Sequence, residues 1–266
     1  AMQADVVDVD TARTGQQRTG LYFALWTIVT KAASALAAGL AFWSLGLFGF
    51  APEAEFQTAT ALGAVAYGFK RSLDTMRDIG IAAFAGRSVA ATALVFSFFE
   101  ILPHFPVGVS EVHFILGSTL FLMLGMGPTA VGLMCGLMLQ SFLLAPADLP
   151  QLGMNLTTLL VPLFAMRALA RRIIAPDTAY ADLGYRQVLL LSTAYQAGVV
   201  GWVAFWAFYG QGMGAENLNA VVTFAGAYAM VLLVEPVVDL GLLALVKSSG
   251  GLRGASLLNT RLFDAT

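Results

Sequence analysis

From Val112 to Leu144 the chain runs as one apolar stretch, interrupted only by Gly125-Met126-Gly127-Pro128 near its middle. About 20 helical residues span the hydrocarbon of a bilayer, so this stretch is too long for one crossing and needs a break. Pro128 has no amide hydrogen to donate and suits the first turn of a new helix, while Gly125 and Gly127 tolerate the turn that precedes it. The expectation is a helical hairpin split at the Gly-Pro pair, as Val112 to Leu124 and Thr129 to Leu144. Comparable runs flank it: Leu21 to Phe50, Gln57 to Phe69, Ile81 to Pro103, Met154 to Ala170, Gln187 to Tyr209 and Ala220 to Val246. Together they predict an all-α, polytopic membrane helical bundle of about eight transmembrane segments, three of them short.

Composition agrees with that class. Hydrophobic residues make up 58% of the chain and charged residues 11%, whereas a soluble domain is about a quarter charged. The mean hydropathy of +0.78 makes the lipid bilayer the expected partner of most of the surface. A net charge of -2 offers no basic face for nucleic acid. The single cysteine, Cys135, has no partner for an intrachain disulfide or a thiolate metal cluster and reads as a small core residue. The first residues, Ala1-Met2-Gln3-Ala4-Asp5, lack the basic stretch and short apolar run of a cleavable signal peptide.

The basic residues provide an independent check on the layout, because Lys and Arg accumulate in cytoplasmic loops. Arg13 and Arg18 precede the first segment; Lys70, Arg71 and Arg77 follow the second; Arg171, Arg172 and Arg186 follow the sixth; Lys247, Arg253 and Arg261 follow the last. All fall on one side if both termini are cytoplasmic. The opposite loops, Ala51 to Phe56, His104 to Glu111, Ala145 to Gly153 and Gly210 to Asn219, contain no Lys or Arg. Lys31, Arg87, Glu100, Arg167, Glu235 and Asp239 lie inside segments, where an ion costs about 2.5–3.5 kcal/mol even on the lenient insertion scale. Arg87 and Arg167 lie near inner ends and snorkel. Glu235, just before Pro236, predicts either a structural ion pair or a proton relay. Trp202, Phe205, Trp206, Phe208 and Tyr209 fit an interfacial aromatic belt.

Two family resemblances follow from local patterns. Ala4, Asp5, Val7, Asp8 and Asp10, then Thr14, Gly15, Arg18, Gly20, Leu21, Phe23, Trp26 and Lys31 resemble one loop and helix of the glycoside-pentoside-hexuronide cation symporters. That match covers residues 4–50, too little to build the substrate path between two halves of a symporter. From about Ala59 onward the chain resembles the CbiM/NikM family. The motif residues are Gly108, Val109, Ser110, Glu111, Val112, His113, Phe114, Ile115, Leu116 and Gly117, then Gly127-Pro128, Gln140, Asp148 and Gly153-Met154-Asn155. Glu111 stands where that family usually has glycine, and Thr158 where a second asparagine is common.

The second resemblance implies the substrate-capture (permease) subunit of an energy-coupling-factor importer, an ABC-type system for cobalt or nickel linked to cobalamin biosynthesis. It also implies a bacterial inner membrane, separate ATPase subunits and a coupling membrane subunit, with docking expected at Lys70 to Asp78 and Arg171 to Arg186. Two domains are then expected: residues 1–58, symporter-like, and residues 59–266, CbiM-like. The alternatives are a sugar-symporter fragment or a nonfunctional fusion product. In the family a Met-His start supplies part of the metal site. Position 2 here is Met and position 1 Ala, so weaker binding by the internal histidines alone is the expectation.

His113 is the expected metal ligand, since a neutral imidazole suits Co(II) and Ni(II). His104, bracketed by Pro103 and Pro106 in the same loop, is the second candidate. Glu111 could add a carboxylate ligand, although oxygen ligands favour harder ions; with it, Ser110, Gln140, Asn155 and Thr157 read either as groups that orient the ligands or as polar packing between helices. No His-Glu-x-x-His helix, phosphate-binding Gly-rich loop or nucleophile triad is present, so no enzyme activity, catalytic residue or bound organic cofactor is expected.

Overall fold

The computed structural model describes residues 52–249 together with Ala12, Arg13, Gly15 and Thr19. The expected segment Leu21 to Phe50, the symporter-like stretch, Arg253 and Arg261 lie outside the described residues. Among those described, the order is α1 (Pro52–Ile79), α2 (Ile81–Glu100), β1 (Phe105–Val107), β2 (Ser110–Val112), α3 (Gly117–Leu124), α4 (Met126–Leu143), a 3-10 turn (Pro146–Gln151), α5 (Leu152–Ile173), a second 3-10 turn (Tyr180–Asp182), α6 (Tyr185–Gln211) and α7 (Ala215–Ser248). It is a helical membrane bundle capped by one small antiparallel hairpin.

Five helical stretches among the described residues are long and apolar enough to cross a membrane: Ile81–Glu100, Met126–Leu143, Pro146–Ile173, Tyr185–Gln211 and Ala215–Ser248. Two other expected segments take different forms. The short run Gln57 to Phe69 lies inside the 28-residue α1, because no glycine or proline follows until Gly80 and Arg71 pairs with Asp74 one turn on, at 3.3 Å. The expected cytoplasmic loop from Lys70 to Asp78 is therefore helix. The run Val112 to Leu124 is the end of β2, an extended stretch and the 8-residue α3, whose rise of roughly 12 Å falls well short of the hydrocarbon thickness. The break at Gly125 is as expected: its φ of 90° suits glycine, and α4 restarts with Pro128 in its first turn.

Close approaches set the helix directions. A Cβ on Gly132 would lie 2.4 Å from the Ala91 methyl, and one on Gly136 would lie 2.6 Å from Val95 Cγ1. Both numbers climb together, so α2 and α4 run parallel along a Gly-x-x-x-Gly seam, the small-residue contact that lets membrane helices touch backbones. Gly127 meets Ser72 and Thr75 while Gly68 meets Ala130 and Met134, which makes α1 antiparallel to α4. Gln57 lies near the start of α5, donating to the Pro150 carbonyl (3.0 Å) and accepting from the Met154 amide (3.2 Å), so α5 runs parallel to α1. These directions gather Lys70, Arg71, Arg77, Arg171, Arg172, Arg186 and Lys247 at one end of the bundle and the hairpin at the other. At Gly108 the hairpin turn presses on α7: φ is 62° and a Cβ would sit 2.2 Å from the Ala220 carbonyl oxygen.

Extended backbone at membrane depth is tolerated only where protein satisfies it. Ile115, Leu116 and every residue of α3 except Met123 are buried, and two acids on α7 meet their donors. Glu235 Oε1 accepts the amides of Ile115 (2.5 Å) and Leu116 (3.0 Å). Its Oε2 accepts Gln196 Nε2, and Gln196 Oε1 in turn accepts the Tyr228 hydroxyl at 2.8 Å. One turn on, Asp239 accepts the Ser118 hydroxyl at 2.6 Å and that of Thr119, with Ser192 Oγ 3.2 Å from Ser118. Among the described residues Glu235 meets these donors and no Lys or Arg, so the expected structural ion pair gives way to hydrogen bonds, with backbone amides left over at a helix start supplying the positive ends that a buried acid needs. Trp206 likewise leaves the expected interfacial belt. It is 7% exposed and donates to Thr157 Oγ1 at 3.0 Å.

Candidate metal-capture site

Under the hairpin lies a cavity of about 330 Å³ whose walls come from α2, the hairpin, α4, the first 3-10 turn and α5 to α7. The local folding explains how histidine reaches it. Pro103 and Pro106 flank the exit from α2, and the register Phe105 to Val112, Pro106 to Glu111 and Val107 to Ser110 turns the chain back within a few residues. The extended stretch held by Glu235 then places His113 between the strand and the half-helix α3.

His113 is largely enclosed, and its Nε2 lies 2.9 Å from Glu111 Oε2. The ring rests on Phe99 at 5.2 Å and stacks on His104 at 5.3 Å with 20° between planes. Its Nδ1 is buried without a hydrogen-bond partner, so Nε2 is the nitrogen that faces usable space. Burial holds the imidazole pKa below its ordinary value; Glu111 pulls it back up and His104 adds to the depression. A neutral ring is the state with a lone pair to give. His104 Nδ1 is 3.3 Å from the Leu102 carbonyl oxygen, and its ring faces that of His113.

The remaining expected residues divide. Ser110, Glu111, Gln140 and Asn155 all line the cavity. Thr157 does not: it is fully buried, donates to the Met154 carbonyl at 2.8 Å and accepts from Trp206. Its neighbour Thr158 lines the cavity instead, because a step of one helical residue rotates a side chain by about 100°. Besides Thr158, the polar lining residues that escaped the sequence reading as site candidates are Asp148 and Gln151 from the 3-10 turn and Tyr228 from α7. Only Asp148 had a signal, as the lone acid in a loop free of Lys and Arg. Among the described residues no group of three His, Cys, Asp or Glu side chains converges.

Comparison with known families gives two matches. Residues 50–250 match CbiM, described as the cobalt uptake substrate-specific transmembrane region, and residues 1–71 match a family described as MFS/sugar transport protein. The two overlap over residues 50–71. No curated protein and no solved structure matches the chain.

Proposed function

The chain belongs to the CbiM family of cobalt uptake transmembrane proteins, and from that premise we propose that it captures Co(II) or Ni(II) for an energy-coupling-factor importer. The basic end of the bundle faces the cytoplasm of a bacterial inner membrane, with both termini on that side, by the positive-inside rule. The hairpin and its cavity then open outward, where an arriving ion first meets protein. His113 is the donor, through Nε2, with His104 as the imidazole stacked behind it. Ser110, Gln140 and Asn155 line the cavity around the ion as polar groups, with Glu111 beside His113 Nε2. Transport draws on separate ATPase subunits and a coupling membrane subunit, which dock at the basic end, and serves cobalamin biosynthesis. We further propose that residues 1–58 form a symporter-like segment ahead of the capture domain of 59–266, since the two family matches meet within residues 50–71.

The observation that carries this reading is an imidazole at the wall of a polar cavity, with Nδ1 enclosed and Nε2 held 2.9 Å from the Glu111 carboxylate. Equilibrium dialysis of the purified full chain against CoCl2 and NiCl2, with His113→Ala alongside, tests it. Binding is expected in the unmodified chain and lost in the variant; equal binding by both sinks the assignment of His113.

A further inference from the structure

We propose that Glu111 is itself a metal ligand: Glu111 Oε2 and His113 Nε2 form one oxygen–nitrogen edge of a six-coordinate Co(II) site in the cavity beneath the hairpin. This rests on the capture reading above and names the ion and geometry it takes.

The spacing of the two atoms is the first argument. Metal–nitrogen and metal–oxygen bonds to ions of this class run about 2.0–2.2 Å, so two donors at right angles on one ion lie roughly 2.9 Å apart. Glu111 Oε2 and His113 Nε2 are 2.9 Å apart. The two atoms share one hydrogen, and an ion takes its place once the Glu111 carboxylate swings off the imidazole's in-plane axis, since bonds of about 2.1 Å put the ion about 1.5 Å to one side of the line joining them. No other face of the ring competes, since Nδ1 is enclosed, and the stacking of His104 turns its in-plane lone pairs away from a shared ion.

The second argument is what else faces the cavity. Asp148 lines it with Glu111, while no Lys or Arg lines it. Two acids with no fixed cation between them favour a mobile divalent ion. Gln140, also lining the cavity and only 6% exposed, offers an amide oxygen as a neutral donor.

The donor set then selects the geometry. One imidazole with carboxylate and amide oxygens, completed by water, makes a mixed octahedral shell, whereas Ni(II) gains its special advantage from a planar nitrogen-rich field. Affinity still rises from cobalt to nickel along the ordinary series, so the signature of Glu111 is a narrowed gap between the two metals.

Equilibrium dialysis of the full chain and its Glu111→Ala, Glu111→Gln and His113→Ala variants against CoCl2 and NiCl2 tests this, with the visible spectrum of bound Co(II) as second readout. Glu111→Ala is expected to weaken Co(II) by at least about tenfold and Ni(II) by less; Glu111→Gln, which keeps an oxygen and loses the charge, falls between. The unmodified chain should give the weak absorption of six-coordinate Co(II). Tight Co(II) binding by Glu111→Ala alongside loss in His113→Ala overturns the ligand role of Glu111 and leaves the capture reading standing, as does an intense tetrahedral spectrum. Unchanged binding in both alanine variants, or no binding by the unmodified chain, overturns the capture reading as well.

Discussion

Replacing Glu235 should loosen the stretch that carries His113, and the size of the effect follows from what the Glu235 side chain accepts. Glu235→Ala strands the amides of Ile115 and Leu116 and the carboxamide of Gln196, all in a region shut off from solvent. A buried donor left without an acceptor costs about 1–3 kcal/mol, so three cost about 3–9 kcal/mol, and water entering the gap draws the result toward the lower half. Glu235→Gln keeps one oxygen for the two amides but turns an NH2 toward Gln196 Nε2. Flipping Gln196 to meet it turns Nε2 toward the Tyr228 oxygen, which can accept it but leaves the Tyr228 O–H without its acceptor, so this variant should lose about 1–3 kcal/mol. Adding Gln196→Glu to Glu235→Gln restores an acceptor for both the introduced amide and Tyr228, and most of the loss should return. Thermal unfolding in detergent, followed by size-exclusion fluorescence, gives the order: Glu235→Ala least stable, then Glu235→Gln, then the double variant near the unmodified chain. A Glu235→Ala protein as stable as the original, or a double variant no better than Glu235→Gln, refutes the account.

Three further outcomes are open to direct measurement. Gly136→Leu should destabilise the bundle by about 1–3 kcal/mol or more, because its first carbon already meets Val95 at 2.6 Å, whereas Gly63→Ala, with nothing within 4 Å, should be neutral or slightly stabilising by thermal unfolding. Metal binding should hold level as pH falls to the ordinary histidine value of 6.5 and weaken only below it, since burial lowers the His113 pKa and a proton competes for the ligand's lone pair; dialysis across pH 5 to 8 that shows loss already above 6.5 contradicts this. In a Cys135→Ser background, an impermeant thiol reagent applied to intact cells should label Gly214→Cys and spare Ser248→Cys, and the reverse pattern would invert the orientation.

Much of the architecture was legible before any coordinates because it depends on composition and spacing. Apolar runs of bilayer length, the Gly-Pro break at Gly125 to Pro128 and the placement of Lys and Arg are one-dimensional signals, set by what lipid and the cytoplasmic face accept. The motif around His113 was readable for the same reason, as a short local pattern. The run Val112 to Leu124 was misread as a crossing because apolarity marks burial and is silent on whether lipid or protein does the burying; here neighbouring helices enclose an extended chain and a half-helix. Thr157 and Thr158 were indistinguishable in the sequence, since only the rotation of α5 against α6 puts one on Trp206 and the other on the cavity.

The sequence by itself determined the membrane class, the family and the one histidine most worth testing, all through residue types whose preferences act within a turn or a loop. Tertiary structure alone decided the fate of the two membrane acids and the company His113 keeps. Glu235 lies 120 positions from the Ile115 amide it accepts, and the cavity draws its walls from residues as far apart as Phe99 and Tyr228. Such pairings have no local signal, because hydrogen bonding and metal-donor geometry depend on distances of about 2 to 3 Å that exist only after the helices have packed.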